Sequence, residues 1–183
     1  SNWRAQKTLD VYLKENNILG IEGIDTRTLT LHIREAGAMK AVLSTEDLND
    51  KSLVQKAKDS PGLVGCDLVK EVTNRKKYIW SKIEKARFKV IGLDCGVKYN
   101  ILRELLKHKC QVIIVPADTK AKEILEMKPD GVLLSNGPGD PQAVKYVIET
   151  TKKLISKLPI FGICLGHQML GLAFGGKPYK LKF

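Results

Sequence analysis

The chain has 183 residues, 43% of them hydrophobic and 28% charged, which excludes a disordered or fibrous chain and predicts a folded protein of one or two domains. Its formal net charge of +11 would suit a nucleic-acid partner, because clustered Lys and Arg side chains bind phosphates. However, only residues 75–77 form a basic run of three, and the other lysines recur along predicted helices. We therefore predict no nucleic-acid partner and interpret the charge as a solvated surface, part of which faces an acidic partner protein.

The sequence also lacks signals for a membrane or for export. No apolar run approaches the roughly 18 residues that cross a bilayer, and the first residues contain no apolar signal-peptide core. The four cysteines, Cys66, Cys95, Cys110 and Cys164, have neither C-x-x-C spacing nor the density of a disulfide scaffold. We expect thiols in a reducing compartment, and therefore a cytoplasmic protein without membrane contact.

Hydrophobic periodicity changes near residue 87 and predicts two parts, residues 1–86 and 87–183. In the first part, a helix over 26–36 has the clearest signals, with Asp25 as N-cap, Gly37 as C-terminal stop, and Leu29, Ile33 and Ala36 as a buried stripe. The other predicted elements are a helix around 9–13, a short strand over 40–43, a helix over 52–58, and a connection or edge hairpin over 71–85. This mixture predicts part of a small α+β domain with a linker.

From Phe88 onwards, apolar strands alternate with amphipathic helices, which predicts an α/β fold with a partial doubly wound parallel sheet. The predicted order is strand 88–93, helix 100–108, strand 112–115, helix 119–127, strand 131–135, helix 143–157, strand 160–163 and helix 165–174. Ligands of such sheets bind at the carboxyl ends of the strands. The candidate segments are therefore those that directly follow a strand, namely 94–96, 116–118, 136–141 and 164–166.

The strongest local signal is the turn Gly162-Ile163-Cys164-Leu165-Gly166 between a strand and a helix. Glycines two positions either side of a nucleophile indicate a nucleophile elbow, because its sharp turn leaves no room for larger neighbours. The helix N-terminus would favour a thiolate at Cys164 and aim the Leu165 N–H at a developing oxyanion. The alternative is a buried cysteine at a strand end beside packing glycines. Cys95 also follows a strand but lacks the second glycine, so we interpret it as structural.

The second signal is the loop over residues 134–141, whose glycines permit positive φ and a close approach of ligand to backbone amides. This loop could complete an oxyanion hole. It could equally be a tight turn with Asp140 as N-cap and Pro141 in the first helical turn. The turn alone accounts less well for Gly137 and Gly139.

Two eight-residue motifs, LSNGPGDP and FGICLGHQ, resemble in order and spacing the oxyanion-loop and nucleophile motifs of class I glutamine amidotransferases. Three further stretches, GIEGIDTRTLTLHIREAGAMKAVLS, IGLDCGVKYNILR and FGGKPYKLKF, resemble the small, glutaminase subunits of carbamoyl phosphate synthetases. The resemblance covers essentially the whole chain. Because GIDTR and the REAGAM stretch lie outside the amidotransferase domain, they favour this group over other class I amidotransferases.

The resemblance implies that Cys164 attacks the side-chain amide of L-glutamine, forms a glutamyl thioester and releases ammonia. Gly137 and Leu165 would supply the oxyanion N–H groups, and Gly139 and Gln168 would help to bind glutamine. In the family, ammonia passes to a large synthetase subunit that makes carbamoyl phosphate from bicarbonate and ATP for arginine and pyrimidine synthesis. The resemblance implies no metal and no cofactor in this chain, since ATP is used by the partner subunit.

A thiolate nucleophile needs a base, and none of the three histidines is a convincing one. His32 lies in the first part, His108 ends a predicted helix, and His167 lies one turn after Cys164 at a position that is not the base in this family. The resemblance places the catalytic His and Glu after Phe183 and the start of the first domain before Ser1. We therefore expect a chain truncated at both ends that hydrolyses glutamine poorly by itself.

Two other functions stay open on the sequence alone. One is another class I amidotransferase, such as those that feed guanylate or anthranilate synthesis, which the GIDTR segment disfavours. The other is a non-enzymatic interaction module on the same fold. Retention of Cys164 argues against that module for the parent protein, and the missing base argues for it in this piece.

Overall fold

The computed structural model describes residues 3, 5–179 and 181. The chain divides into two compact units, one formed by the described residues up to Gly62 and the other by Leu63–Tyr179. None of the described helices combines the length and hydrophobicity that a bilayer crossing requires.

The first unit contains three helices, α1 (Leu9–Glu15), α2 (Thr26–Ala36) and α3 (Asp50–Asp59). The start and end of α2 agree with the prediction because both signals are local. The Asp25 carboxylate accepts a hydrogen bond from the Thr28 N–H at 2.9 Å, and Gly37 ends the helix with a φ of 93°. Asn49 caps α3 in the same way, through the Ser52 N–H.

Two predictions for this unit were wrong. Residues 40–43 form no strand, because a strand needs a neighbouring strand and no described residue pairs with them. The predicted buried stripe of α2 is exposed, with 46% of Leu29 and 39% of Ile33 accessible to solvent and Ala36 also exposed. Burial needs a covering layer, and among the described residues up to Gly62 only Gly37 is buried.

The second unit is built on a five-stranded sheet. Its strands are β1 (Tyr78–Ser81), β2 (Phe88–Asp94), β3 (Cys110–Pro116), β4 (Gly131–Leu134) and β5 (Ile160–Gly162). Its helices are α4 (Val69–Val72), α5 (Tyr99–Lys107), α6 (Ala121–Glu126), α7 (Lys145–Leu154) and α8 (Leu165–Ala173), with a short 3-10 helix at Pro141–Ala143 before α7. The strand order is β1-β3-β2-β4-β5, with β2 to β5 parallel and β1 antiparallel to β3. The predicted α/β fold with a partial, doubly wound sheet is confirmed.

Helices cover both faces of this sheet, as the apolar strands predict. Strand β3 shows why, because Cys110, Val112 and Ile114 face one core cluster with Leu102 of α5, whereas Val115 faces the other. That second cluster holds the side chains of α6, α7 and α8. Its fully buried members include Ile91, Leu93, Ile124, Leu134, Leu154 and Met169.

Residues 71–85 form neither a plain connection nor a hairpin, since β1 adds to the edge of the sheet beside β3. Trp80 of β1 packs against Tyr99 of α5 with the rings tilted by 35° and their centroids 5.0 Å apart. Val69 of α4 is fully buried in the larger core cluster, so residues 63–86 pack within the second unit. The predicted domain boundary at 86/87 stays a prediction.

The chain reverses its winding direction at β2, because β3 lies on one side of this strand and β4 on the other. Loops that follow two such strands leave in opposite directions, and ligands of many open sheets bind in the crevice between them. The loops after β2 and β4 and the turn after β5 therefore meet at one edge of the sheet.

Candidate active site

Cys164 lies in a sharp turn between β5 and α8. Strand β5 ends at Gly162 and α8 begins at Leu165, so the turn consists of Ile163 and Cys164 alone. Cys164 has φ 52° and ψ −113°, a backbone conformation that residues with a Cβ atom rarely adopt and that stores strain. Two hydrogen bonds hold the turn, from the Ile163 N–H to the Leu134 carbonyl at 3.0 Å and from the Gln168 N–H to the Cys164 carbonyl at 3.1 Å. The thiol-bearing residue is exposed.

The glycines on either side of Cys164 are required by space rather than by φ. A Cβ atom on Gly162 would lie 2.5 Å from the Gly166 carbonyl carbon and 2.6 Å from the His167 nitrogen. A Cβ atom on Gly166 would fall well inside the contact distance of the Leu134 carbonyl oxygen, and 2.8 Å from the Leu134 Cβ. The geometry that the elbow pattern predicts is therefore present.

The loop after β4 interlocks with the loop after β2. The Ser135 hydroxyl accepts a hydrogen bond from the Cys95 N–H at 2.8 Å. The Asn136 side chain accepts one from the Lys98 N–H at 3.0 Å and donates one to the Gly96 carbonyl at 2.9 Å. A Cβ atom on Gly137 would overlap the Cys95 carbonyl oxygen and would lie 2.9 Å from Cδ2 of Leu165. Backbone groups of the two loops thus touch each other, and Gly137 also touches the first residue of α8.

Asp94 fixes the loop after β2. This carboxylate is buried and accepts hydrogen bonds at 2.9 Å from the N–H groups of Asn74, Gly96 and Val97, and a further one from the Asn74 side-chain amide. A buried carboxylate with this many donors is a structural anchor. The prediction that residues 94–96 are structural agrees with these contacts.

Two N–H groups at the elbow have no acceptor. Among the described residues, neither the Gly137 N–H nor the Leu165 N–H donates a hydrogen bond to a protein group. The Leu165 group lacks a partner because the first N–H groups of a helix have no carbonyl one turn earlier. Unpaired N–H groups of this kind are available to a ligand, and an oxyanion is one ligand that such groups stabilise.

The other predicted glutamine-binding residues are Gln168 and Gly139. Gln168 is exposed on the first turn of α8, next to the Cys164 carbonyl. Gly139 has φ 93°, and a Cβ atom there would lie 2.8 Å from the Cys66 carbonyl oxygen. Asp140 behaves as the turn interpretation predicts, because it caps the 3-10 helix through the Gln142 N–H, and it also accepts from the Gly65 N–H at 2.8 Å. The binding roles of Gly137, Gly139, Leu165 and Gln168 stay predictions.

The three histidines lie in different parts of the chain. His32 belongs to α2 of the first unit, and His108 ends α5. His167 follows Cys164 within the first turn of α8, and its side chain is exposed.

The four cysteines differ sharply in environment, and none of them forms a disulfide in the described chain. Burial and the neighbouring Asp94 raise the pKa of the Cys95 thiol from an ordinary 9.0 to about 12. Burial also raises the pKa of the Cys110 thiol. Cys66 is half-buried, and Cys164 alone is exposed. Only Cys164 combines access to solvent with the strained turn.

The raised pKa of Cys95 predicts a specific loss of stability in alkali. The folded protein keeps this thiol neutral up to about pH 12, whereas the unfolded chain loses the proton near its ordinary pKa of 9.0. The free energy of unfolding should therefore be unaffected by Cys95 below pH 9.0 and fall above it, by up to about 1.4 kcal/mol per pH unit. Urea unfolding of the wild type and of Cys95→Ala between pH 8 and 10.5 measures this difference. Equal slopes in the two proteins would contradict the prediction.

Comparison with known proteins gives two family matches. Residues 91–183 match the family described as glutamine amidotransferase class-I, and residues 1–43 match the family described as carbamoyl-phosphate synthase small chain, CPSase domain. Among solved structures, a GMP synthase subunit from Thermoplasma acidophilum is 28% identical with a TM-score of 0.43, over 50% of this chain and 47% of that one.

Curated relatives align along the whole chain. The carbamoyl phosphate synthase small chain of Syntrophotalea carbinolica is 51% identical over 100% of this chain and 52% of its own length. The Aquifex aeolicus small chain is 47% identical over 100% and 52%, and the chloroplastic small chain of Arabidopsis thaliana is 46% identical over 100% and 45%. The chain spans about half the length of the curated relatives it matches. Since the match over residues 91–183 takes in the elbow and both adjoining loops, the chain belongs to the class-I glutamine amidotransferase family.

Proposed function

We propose that the chain is part of the glutaminase subunit of a carbamoyl phosphate synthetase, which hydrolyses L-glutamine through a thioester on Cys164. The observation that carries this proposal is the exposed Cys164 in a strained turn at the N-terminus of α8. The unpaired N–H groups of Gly137 and Leu165 support it. Relatives named as small chains, aligned over the whole of this chain, support the choice of enzyme.

The proposed chemistry follows from the elbow. The Cys164 thiolate adds to the amide carbon of glutamine, and the carbonyl electron pair moves onto the oxygen, where the Gly137 and Leu165 N–H groups stabilise it. When this intermediate collapses, the carbon–nitrogen bond breaks, the nitrogen takes up a proton and leaves as ammonia, and a glutamyl thioester remains. Water then hydrolyses the thioester to glutamate. Gly139 and Gln168 help to bind the substrate in this proposal.

The proposed partner is a large synthetase subunit that consumes the ammonia with bicarbonate and ATP to make carbamoyl phosphate for arginine and pyrimidine synthesis. The chain itself needs no cofactor for the thioester chemistry, and we propose a cytoplasmic location. The net charge of +11 fits an acidic surface on that partner. The match of residues 1–43 to the small-chain domain disfavours another class I amidotransferase.

A chloroketone analogue of L-glutamine tests the proposal. The Cys164 sulfur should displace chloride, forming one carbon–sulfur bond as the carbon–chlorine bond breaks, and peptide mass spectrometry locates the adduct. We expect label on Cys164 well before Cys66, Cys95 or Cys110, because two of these thiols are buried and one is half-buried. L-glutamine should slow the labelling and D-glutamine should not.

The matched control is Cys164→Ala, which should take up no label within the same time. Labelling of Cys95 or Cys66 ahead of Cys164 would show that Cys164 is not the nucleophile. Labelling of Cys164 without protection by L-glutamine would favour a non-catalytic interaction module with a merely exposed thiol.

A further inference from the structure

Ser135 joins the three segments that form the elbow region. It is 1% exposed, and each of its polar groups is hydrogen-bonded. Its N–H donates to the Leu93 carbonyl of β2 at 3.3 Å, and its carbonyl accepts from the Gly166 N–H of α8 at 3.1 Å. Its hydroxyl accepts from the Cys95 N–H and donates to the Asn136 carbonyl, both at 2.8 Å. These last two bonds, and a side-chain hydrogen bond with the Cys95 thiol, depend on the Ser135 hydroxyl.

The bond to the Asn136 carbonyl sets the direction of the Gly137 N–H, because the two groups belong to one peptide unit. No peptide bond in the described chain is cis, so this C=O and N–H point in opposite directions. With the carbonyl held by the buried Ser135 hydroxyl, the N–H is turned away from that hydroxyl, and it has no acceptor among the described residues. A peptide unit that ends in glycine has little steric preference of its own, so its orientation depends on contacts such as this hydrogen bond.

We propose that Ser135 is a positioning residue, whose hydroxyl holds the Asn136–Gly137 peptide so that the Gly137 N–H is available to an oxyanion formed at Cys164. This inference rests on the proposed function and adds a residue to it. Ser135 is buried and acts through the peptide it holds. The Gly166 bond to its carbonyl keeps the start of α8, and with it the Leu165 N–H, in register with the same loop.

Two variants separate this role from a general loss of packing. Ser135→Ala removes the hydroxyl and leaves both backbone bonds of Ser135 in place. Thr151→Val is the matched control, because the Thr151 hydroxyl is also buried and donates to a backbone carbonyl, that of Val147 at 2.7 Å, within α7. Thermal unfolding of both variants shows whether each remains folded at the assay temperature.

The probes are a pair of ligands, measured on the full-length protein that carries this chain. The aldehyde analogue of L-glutamine accepts the Cys164 sulfur at its carbonyl carbon, the carbon–oxygen π pair moves to oxygen, and a reversible hemithioacetal forms. The corresponding alcohol has the same shape but cannot form this bond. The ratio of the two dissociation constants therefore reports formation of the hemithioacetal. A change in this ratio between wild type and variant, with the reactivity of Cys164 unchanged, reports the stabilisation of the oxygen.

We expect Ser135→Ala to weaken aldehyde binding by about tenfold, less than the hundredfold or more that follows complete loss of an oxyanion donor, because the peptide would still populate the active orientation part of the time. Alcohol binding and the rate of Cys164 alkylation by iodoacetamide should change less than about twofold, since neither needs an oxyanion. Thr151→Val should leave all three unchanged.

The possible outcomes separate a failure of the proposed function from a failure of the role proposed for Ser135. A wild type that binds the aldehyde no more tightly than the alcohol contradicts the proposed function and removes the basis of the inference. A wild-type preference for the aldehyde that persists in Ser135→Ala overturns the inference alone. Equal losses for aldehyde and alcohol in Ser135→Ala also overturn it, because they would indicate general disruption of the site.

Discussion

Replacement of Gly166 by alanine is expected to destabilise the second unit by about 3 kcal/mol or more and to abolish the protection of Cys164 by L-glutamine against the chloroketone. The added methyl group would overlap the Leu134 carbonyl oxygen, and that oxygen already accepts the Ile163 N–H that holds the turn. Neither group can move without displacing the end of β4 or the start of α8. The free energy of unfolding in urea measures the loss.

Gly171→Ala is the matched control in the same helix. A Cβ atom on Gly171 meets nothing within 4 Å, so the substitution adds no contact and only restricts the unfolded chain. Because alanine is the better helix former, we expect an unchanged protein or one up to about 1 kcal/mol more stable. Similar losses for Gly166→Ala and Gly171→Ala would show that the close approach at Gly166 is not what the turn requires.

Replacement of Cys164 by glycine is expected to abolish glutamine hydrolysis by the full-length protein and to stabilise its fold. Loss of the nucleophile should reduce the rate by about a thousandfold or more. Glycine adopts φ 52° and ψ −113° without a steric penalty, whereas any side chain at this position is strained. We expect Cys164→Gly to be roughly 1 kcal/mol more stable than Cys164→Ala, after the entropic cost of glycine is deducted from the strain relieved.

The comparison with Cys164→Ala isolates the backbone, because both variants lack the sulfur and differ by one methyl group. Urea unfolding gives the stability difference, and hydrolysis of L-glutamine gives the activity. Equal stability of the two variants would mean that the turn is not strained. Substantial hydrolysis by either variant would exclude Cys164 as the nucleophile.

Elements with local signals could be predicted closely from the sequence. The bounds of α2 follow from Asp25 and Gly37, which act within four residues of the helix ends. The alternating strands and helices after Phe88 follow from hydrophobic periodicity, and each predicted strand there is found within two residues of its predicted start. The elbow was also predictable, because its sharp turn requires residues without a side chain two positions before and after Cys164, and the sequence has glycine at both.

Features that depend on distant residues could not be predicted in this way. Residues 40–43 have the composition of a strand, yet strand formation requires a partner that hydrophobic pattern does not reveal. Strand β1 is paired with β3, more than thirty positions along the chain, so the sequence alone left a connection and a hairpin open. The exposure of Leu29 and Ile33 likewise depends on what covers them.

The site was predicted unevenly for the same reason. Cys164, Gly137 and Leu165 belong to recognisable motifs, and the structure places Gly137 close to Leu165, which directly follows Cys164. Ser135 lies inside one of those motifs, but its two hydroxyl contacts reach Cys95 and the next peptide unit, and only the folded chain shows them. A serine directly after a buried strand and before a glycine-containing loop was the one signal that could have suggested such a role.

The interlocked loops after β2 and β4 have a consequence for what this sheet can accommodate. In other open sheets the crevice at the reversal of winding admits a nucleotide or a flavin. Here the Asn136 side chain and the Ser135 hydroxyl join the two loops that border that crevice, and the Gly137 backbone lies close to the Cys95 carbonyl. A ligand that pushed these two loops apart would break the three hydrogen bonds that join them. The two loops therefore support each other, and the exposed turn at Cys164 lies one strand further out, at the end of β5.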